Sequence, residues 1–376
     1  MNQTPAKPSS VFPMSAPPRT VPTTGESPLR DRWGRTHTDL RLSVTDRCNL
    51  RCFYCVPSER TPLLPREALL HFDEIVHVVQ VAVRLGIRKV RLTGGEPLLR
   101  KNLPSLVGDL AAIPGLADLA MTTNATLLAD YAQLLRQAGL QRLNISLDTL
   151  DRRQFEALTG RDALEQVLRG IEAAQSAHFW PIKLNALAMR DFSESQIVPL
   201  VRFALERGLE IRFIEFMPIV GPGRWSPDRV LPSEAILNIL REEFGSVEPV
   251  DSPEDSPSAF NPEENLSPRS FSGTAALAPS QQYLVGRHGV RVGLIASVSR
   301  PFCRSCCRLR LNAVGELRNC LFASTGWDVG SLLRRGGSDQ ELIAMFLSAV
   351  QDKPFSPGPL LDHRPQSHLV MRQIGG

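Results

Sequence analysis

Residues 40–55 read LRLSVTDRCNLRCFYC, an apolar run that ends in three closely spaced cysteines. A short Leu- and Val-rich run at 40–44 has the composition of a strand, and it delivers the chain into Cys48, Cys52 and Cys55. The spacing is C-x3-C-x2-C. Three thiolates on one short loop can each hold a separate iron of a 4Fe-4S cube, which leaves the fourth iron without a protein ligand. Structural zinc asks for four ligands, commonly in paired C-x2-C knuckles, and the bacterial ferredoxin run is C-x2-C-x2-C, so neither matches.

All seven cysteines fall into two groups: these three, then Cys303, Cys306, Cys307 and Cys320. Most of the thiols being only two or three residues apart within a group, in a long chain without an apolar export signal, argues against a disulfide framework. The second group supplies C-x2-C-x13-C through Cys303, Cys306 and Cys320. Cys307 adjoins Cys306, and neighbouring side chains rarely both reach one small cube, so Cys307 reads as packing. This site too would keep an open iron, able to bind a substrate heteroatom as a Lewis acid.

The chain has 376 residues, 42% apolar and 22% charged, which fits a globular protein of one large or two unequal domains. A net charge of +4 is too small to argue for nucleic acid or an acidic membrane surface, and suits an anionic small substrate. No apolar run approaches the roughly eighteen residues that span a bilayer. Residues 1–31 hold seven prolines and, before Asp31, a single acidic residue, Glu26. Proline at that density prevents the amphipathic helix of a transit peptide, so a disordered extension is expected.

Between the cysteine groups, short apolar runs alternate with amphipathic segments, the pattern of repeated β–α units on a parallel sheet. Strands are expected at 40–44, 89–92, 119–122, 142–147, 182–187 and 210–215, and helices at 72–85, 126–138, 193–207 and 233–244. The unusual residues cluster just after these strands: Cys48, Gly94-Gly95-Glu96-Pro97, Thr122-Thr123-Asn124, Ser146-Leu147-Asp148 and Phe216-Met217-Pro218. That is where α/β barrels build active sites. Residues 32–230 read as the barrel and 231–376 as a C-terminal region bearing the second cysteine group. A Ser-, Pro- and acid-rich stretch at 251–282 reads as a flexible insertion.

The C-x3-C-x2-C loop with Tyr54 before its last cysteine resembles the signature of the radical S-adenosylmethionine (SAM) superfamily. Residues 35–55, Arg91-Leu-Thr-Gly-Gly-Glu-Pro97, Asn144-Ile-Ser-Leu-Asp148, residues 211–217, the second cysteine group with Arg308 and Arg310, and the terminal Gly375-Gly376 resemble, in particular, the GTP 3′,8-cyclase family of molybdenum cofactor biosynthesis. The resemblance implies an α/β fold, a partial (β/α)6 TIM-like barrel with a C-terminal extension, and two 4Fe-4S clusters on Cys48, Cys52, Cys55 and on Cys303, Cys306, Cys320. It implies SAM contacts at Tyr54, Gly95, Ser146 and Met217, and GTP contacts at Arg41, Arg91, Thr122, Lys183, Arg308, Leu309 and Arg310. Arg41, Arg308, Arg310, Gly375 and Gly376 would serve catalysis. The activity implied is a lyase reaction in which GTP, SAM and reductant give 3′,8-cyclo-7,8-dihydro-GTP, 5′-deoxyadenosine and methionine. A downstream pyranopterin monophosphate synthase, an electron donor such as flavodoxin, a homodimer and a cytoplasmic location are further implications. Two departures are visible: Cys307 stands where the family usually has Asn, and Ala125 where Gly is usual. Rival readings are a peptide-modifying radical enzyme with an auxiliary cluster and a zinc protein that contacts nucleic acid.

Overall fold

The computed structural model describes residues 28–56, 63–219, 224–250, 279–286, 289–355 and 371–374. Most of the Pro-rich start, residues 251–278 of the expected insertion, Gly375 and Gly376 lie outside the described residues. Of the segment assigned to the N-terminal extension, residues 28–31 are described: Leu29 is buried, and its N–H donates to the Leu85 carbonyl at 3.0 Å.

The six expected strands form with boundaries shifted by no more than one residue: β1 (Asp39–Ser43), β2 (Lys89–Thr93), β3 (Asp118–Thr123), β4 (Arg142–Ser146), β5 (Ile182–Ala188) and β6 (Glu210–Glu215). The C-terminal region adds β7 (Val247–Pro249), β8 (Gln281–Val285), β9 (Val290–Ile295), β10 (Arg308–Leu311), β11 (Glu316–Arg318) and β12 (Trp327–Asp328). All belong to one sheet, ordered β12-β11-β10-β1-β2-β3-β4-β5-β6-β9-β8-β7. β10 runs parallel to β1 and β9 parallel to β6, so the C-terminal region extends the parallel run at both edges before turning antiparallel. The sheet therefore crosses the boundary expected at 230.

Helices α1 (Phe72–Arg84), α2 (Leu103–Ala111), α3 (Leu128–Gln137), α4 (Arg152–Thr159), α5 (Leu164–Ser176) and α6 (Glu194–Glu206) connect the first six strands, and α7 (Ser233–Phe244) follows them. α8 (Val329–Arg334), α9 (Asp339–Gln351) and the short α10 (Met371–Ile374) complete the described chain. Their starts are written locally. His71 and Glu74 form a capping box on α1, and Ser338 with Glu341 does so on α9, each satisfying main-chain N–H groups that a first turn leaves open.

Alternation along the strands places the two chemistries. In β5, Ile182, Leu184, Ala186 and Ala188 are buried under the helices, while Lys183 and Asn185 lie on the other face. β1 does the same, with Leu40 and Leu42 in the core and Asp39 and Arg41 opposite. The core thus lies between sheet and helices, where each fully buried Leu or Ile contributes about 1.5–3 kcal/mol. The inner face is polar. Its curvature is seen in which charges meet: Arg212 on β6 feels Arg91 on β2 and Arg308 on β10, although in a flat sheet β6 and β10 would stand about 29 Å apart. Only a sheet curled into a partial barrel brings them together.

Candidate active site

The first cysteine loop leaves β1 at the carboxyl end of the barrel and is fastened to the loop after β2. Thr45 O accepts from Gly95 N at 2.7 Å and Arg47 O from Glu96 N at 2.7 Å. A Cβ on Gly94 would lie 2.5 Å from Thr45 O, and one on Gly95 only 2.2 Å from Arg47 O, so both glycines are required by close approach. Glu96 is buried; its carboxylate accepts from Leu98 N (3.1 Å), Thr123 Oγ1 (2.7 Å) and Asn124 N (2.7 Å), tying the loops after β2 and β3 together. Burial pushes the Glu96 carboxyl up to about 7 against these three bonds. Asn124 Nδ2 then donates to Asn49 Oδ1 at 2.9 Å and approaches Cys48 Sγ at 3.7 Å. From the loop after β4, Asp148 accepts from Tyr54 Oη at 2.8 Å and from Leu187 N at 2.7 Å.

Burial raises the thiols of Cys48 to about 11 and Cys55 to about 12, and that of Cys52 well above its usual value. Among the further causes, Cys52 and Cys55 each feel Cys48, and Cys52 also feels Cys55, so the three sulfurs share one small space. All three cysteines are half-buried. Such a set keeps its protons until a cationic centre replaces them, as thiolate-ligated metal sites do. Among the described residues no three His, Cys, Asp or Glu converge where a single ion would sit. A 4Fe-4S cube does not ask for that, since each thiolate takes a different iron. The residues fit the cluster that the spacing implies.

The second group lies at the opposite end. Residues 296–307 carry the chain from β9 to β10, across the parallel run from one edge to the other. This connector starts on Glu215, whose carboxylate accepts from Val298 N and Ser299 N, both at 2.8 Å, and from Ser299 Oγ at 2.5 Å. It contains Cys303 and Cys306 and enters β10, whose Arg308 is in register with Asp39 at the start of β1. Cys320 follows β11 and returns to the same end. Burial and then the fields of Cys306 and Cys320 raise the Cys303 thiol to about 11. Cys306 is also pushed up by burial, but Lys353 and Arg308 outweigh it and hold the thiol below its ordinary value. Cys307 is buried, and its carbonyl accepts from Thr38 N and Asp39 N, each at 3.3 Å. The length of β1, roughly 17 Å at 3.3 Å per residue, separates the two ends.

Between them lies a lumen lined by cations. Register places Arg310, Arg41 and Arg91 in one row, continued by Ala120 and Arg142. Thr122, Asn144, Lys183 and Glu210 form another row, and Ser146, Asn185 and Arg212 the next. Lys183 Nζ is 2.6 Å from Glu210; burial first, then Arg212, pulls its ammonium down to about 8. Burial, followed by the field of Arg308, brings Arg310 down to about 10. Arg91 is buried, and its Nε and Nη1 make no hydrogen bond. Burial pulls it below its ordinary value despite the nearby Asp39. With Lys89 and Arg308, strands β10 and β1 to β6 bring eight cationic side chains to this face against three carboxylates, Asp39, Asp118 and Glu210. A buried excess of that kind, with guanidinium N–H groups unsatisfied, fits a polyanion.

Arg41, Arg91, Thr122, Lys183, Arg308 and Arg310 thus come together on one face, although they arise from five different strands. The Leu309 side chain is fully buried in the core, so only its main chain borders this space. Ser146 ends β4 and Met217 follows β6, both at the end that carries the first cysteine loop. Just before Gly375, Gln373 and Ile374 are buried, and the main chain of Arg372 hydrogen-bonds Cys55. Arg212 and Asn144, which lie within motifs quoted above, and Asn185, Lys89 and Arg142 carry no site role in the sequence reading. The signal was there: even-numbered positions of β6 share a face with Lys183 of β5, but its reading requires the strand register.

Comparison with known proteins agrees with this geometry. The Radical SAM superfamily matches residues 42–204, and the family described as Molybdenum Cofactor Synthesis C matches residues 263–357. The GTP 3′,8-cyclase of Rhodopirellula baltica is 44% identical over 352 residues, covering 93% of this chain and 92% of that protein. That of Acidothermus cellulolyticus is 45% identical over 328 residues (86% and 84% covered). GTP 3′,8-cyclase 2 of Mycobacterium tuberculosis is 40% identical over 366 residues (96% and 95% covered). With two cysteine loops at the ends of a cation-lined partial barrel, and these relatives along nearly its whole length, the chain belongs to the GTP 3′,8-cyclase family of radical SAM enzymes.

Proposed function

We infer that this chain converts GTP to 3′,8-cyclo-7,8-dihydro-GTP, opening molybdenum cofactor biosynthesis, and that it does so with a 4Fe-4S cluster at each cysteine group. The observation that carries the reading is the cation-rich lumen between two cysteine groups, the first with three thiols and the second with three besides the buried Cys307. When bound, the first cluster and SAM supply the radical that takes a hydrogen from the substrate ribose. The protein's part is placement. Arg41, Arg91, Lys183, Arg308 and Arg310, joined by Arg212 and with Thr122 as a neutral donor, hold the triphosphate and guanine between the two ends. Leu309 contributes main-chain contact. Tyr54, Gly95, Ser146 and Met217 border SAM, and the resemblance to the family assigns Gly375 and Gly376 to catalysis.

Residues 32–230 form the radical SAM unit and also supply Arg41, Arg91, Thr122 and Lys183 to GTP, while residues 231–376 supply the second-cluster region with Arg308 and Arg310; Gln281 and Gln282, at the end of the stretch expected as an insertion, belong instead to β8. No described helix is long and apolar enough to cross a membrane. The working enzyme would be a cytoplasmic homodimer, fed electrons by a flavodoxin-like donor and passing its product to a pyranopterin monophosphate synthase. The deciding experiment reconstitutes the chain with iron and sulfide under anaerobic conditions, adds dithionite, SAM and either GTP or ATP, and measures 5′-deoxyadenosine with the cyclised nucleotide. GTP should drive both; equal response to ATP would remove the assignment.

A further inference from the structure

Lys353, just beyond α9, is 3% exposed. Lysine is almost never buried without a partner for its charge. Its Nζ donates to Arg308 O at 2.7 Å and also to Asn319 O. Arg308 stands two residues after Cys306, and Asn319 directly precedes Cys320. Since β10 and β11 are antiparallel, with Arg310 opposite Arg318, these carbonyls lie at the same end of the hairpin. One ammonium therefore joins the two strand ends that bring Cys306 and Cys320 together.

The segment that carries Lys353 is itself held in place. Asn319 Nδ2 donates to Ala349 O at 3.0 Å, and Trp33 Nε1 donates to Lys353 O at 3.2 Å. Arg35 donates through Nη2 to Pro354 O at 2.9 Å and through Nη1 to Cys303 O at 2.5 Å. Arg35 has Asp31 as its counter-ion at 2.6 Å. Lys353 differs, for after burial the strongest influences on it are Cys306 and Cys320. Two neutral carbonyls accept from two of its three N–H groups and leave its charge uncompensated, while Cys306 and Cys320 are the groups whose fields favour that charge most.

We propose that Lys353 is the positioning residue of the second cysteine site: it fixes the spacing of Cys306 and Cys320 through their neighbouring carbonyls, and its charge offsets the negative charge of the thiolate-bound cluster. The inference rests on the reading that Cys303, Cys306 and Cys320 hold an iron–sulfur cluster. A cation held on those two carbonyls would favour the reduced over the oxidised cluster once formed. Lys353 does not touch substrate.

The test uses the full chain in a background with Cys48, Cys52 and Cys55 replaced by alanine, so that only the second cluster contributes iron. Lys353→Met and Lys353→Arg are reconstituted anaerobically beside the Lys353 parent. Iron and sulfide per chain, the cluster's reduction potential followed by electron paramagnetic resonance, and melting of the cluster-free chains are recorded. The Met variant should lose most of its iron, or retain a cluster whose potential is shifted to more negative values; the Arg variant should recover the iron content. Unchanged iron and potential in the Met variant, equal loss in both variants, or iron loss traced to a cluster-free chain that no longer melts cooperatively would overturn the proposal. A parent that takes up no iron with Lys353 intact would instead remove the second cluster itself, and is recognised as that separate failure.

Discussion

At the residue scale, two positions show how environment overrides residue type. Lys183 is a cation below about 8 and neutral above it, because burial and Arg212 disfavour its charge more than Glu210 restores it. Affinity for GTP should therefore fall as pH rises through that value, by up to roughly 10–100-fold, the worth of one charge-assisted hydrogen bond. Calorimetric titration between pH 7 and 9 checks this, with Lys183→Met weaker throughout and lacking the slope. Ala125 adopts φ 61°, in the left-handed region where a Cβ costs about 1–2 kcal/mol. Its carbonyl also meets Gly170, where a Cβ would be only 2.3 Å away, so the loop cannot relax in that direction. Ala125→Gly should stabilise the cluster-free chain by about 1 kcal/mol in chemical denaturation. Cys307→Ser should leave the iron content unchanged, because this thiol is buried beside Thr38 and is not among the main influences on Cys303.

At the element scale, the site depends on loops held against loops. The turn after β2 carries no cysteine, yet Gly95 N and Glu96 N fix the carbonyls on either side of Asp46, just before Cys48. Gly95→Val should displace that loop and lose about half of the iron, leaving the second group loaded. Iron analysis of the reconstituted chain decides it; full iron content would show that the loop accommodates a side chain. The connector from β9 to β10 obeys the same logic at the other end, anchored on Glu215 at its start and on the N–H groups of Thr38 and Asp39 at its finish.

At the scale of the whole molecule, the barrel inverts the usual arrangement, in which branched apolar side chains fill the interior. Here the apolar contacts lie outside the sheet, and the interior is a cationic lumen whose repulsions await a ligand. Arg91→Met should weaken GTP binding by roughly 10–100-fold without lowering the melting temperature of the ligand-free chain, since it removes a buried guanidinium with unsatisfied N–H groups. A loss of ligand-free stability would show that Arg91 serves the fold instead. The order of amino acids alone specifies the two cysteine groups, the six β–α units and the boundaries of their strands, because ligand spacing and hydrophobic period are local properties. It also placed Arg41, Arg91, Lys183, Arg308 and Arg310 through resemblance to a family. Only the tertiary structure decided that β9 and β10 complete the parallel run, that Arg212 and Arg142 share the lumen, and that Lys353 reaches the second site. Those outcomes depend on pairing between segments far apart in the chain and on which of two alternating faces curls inward, and neither is encoded in any single window of residues.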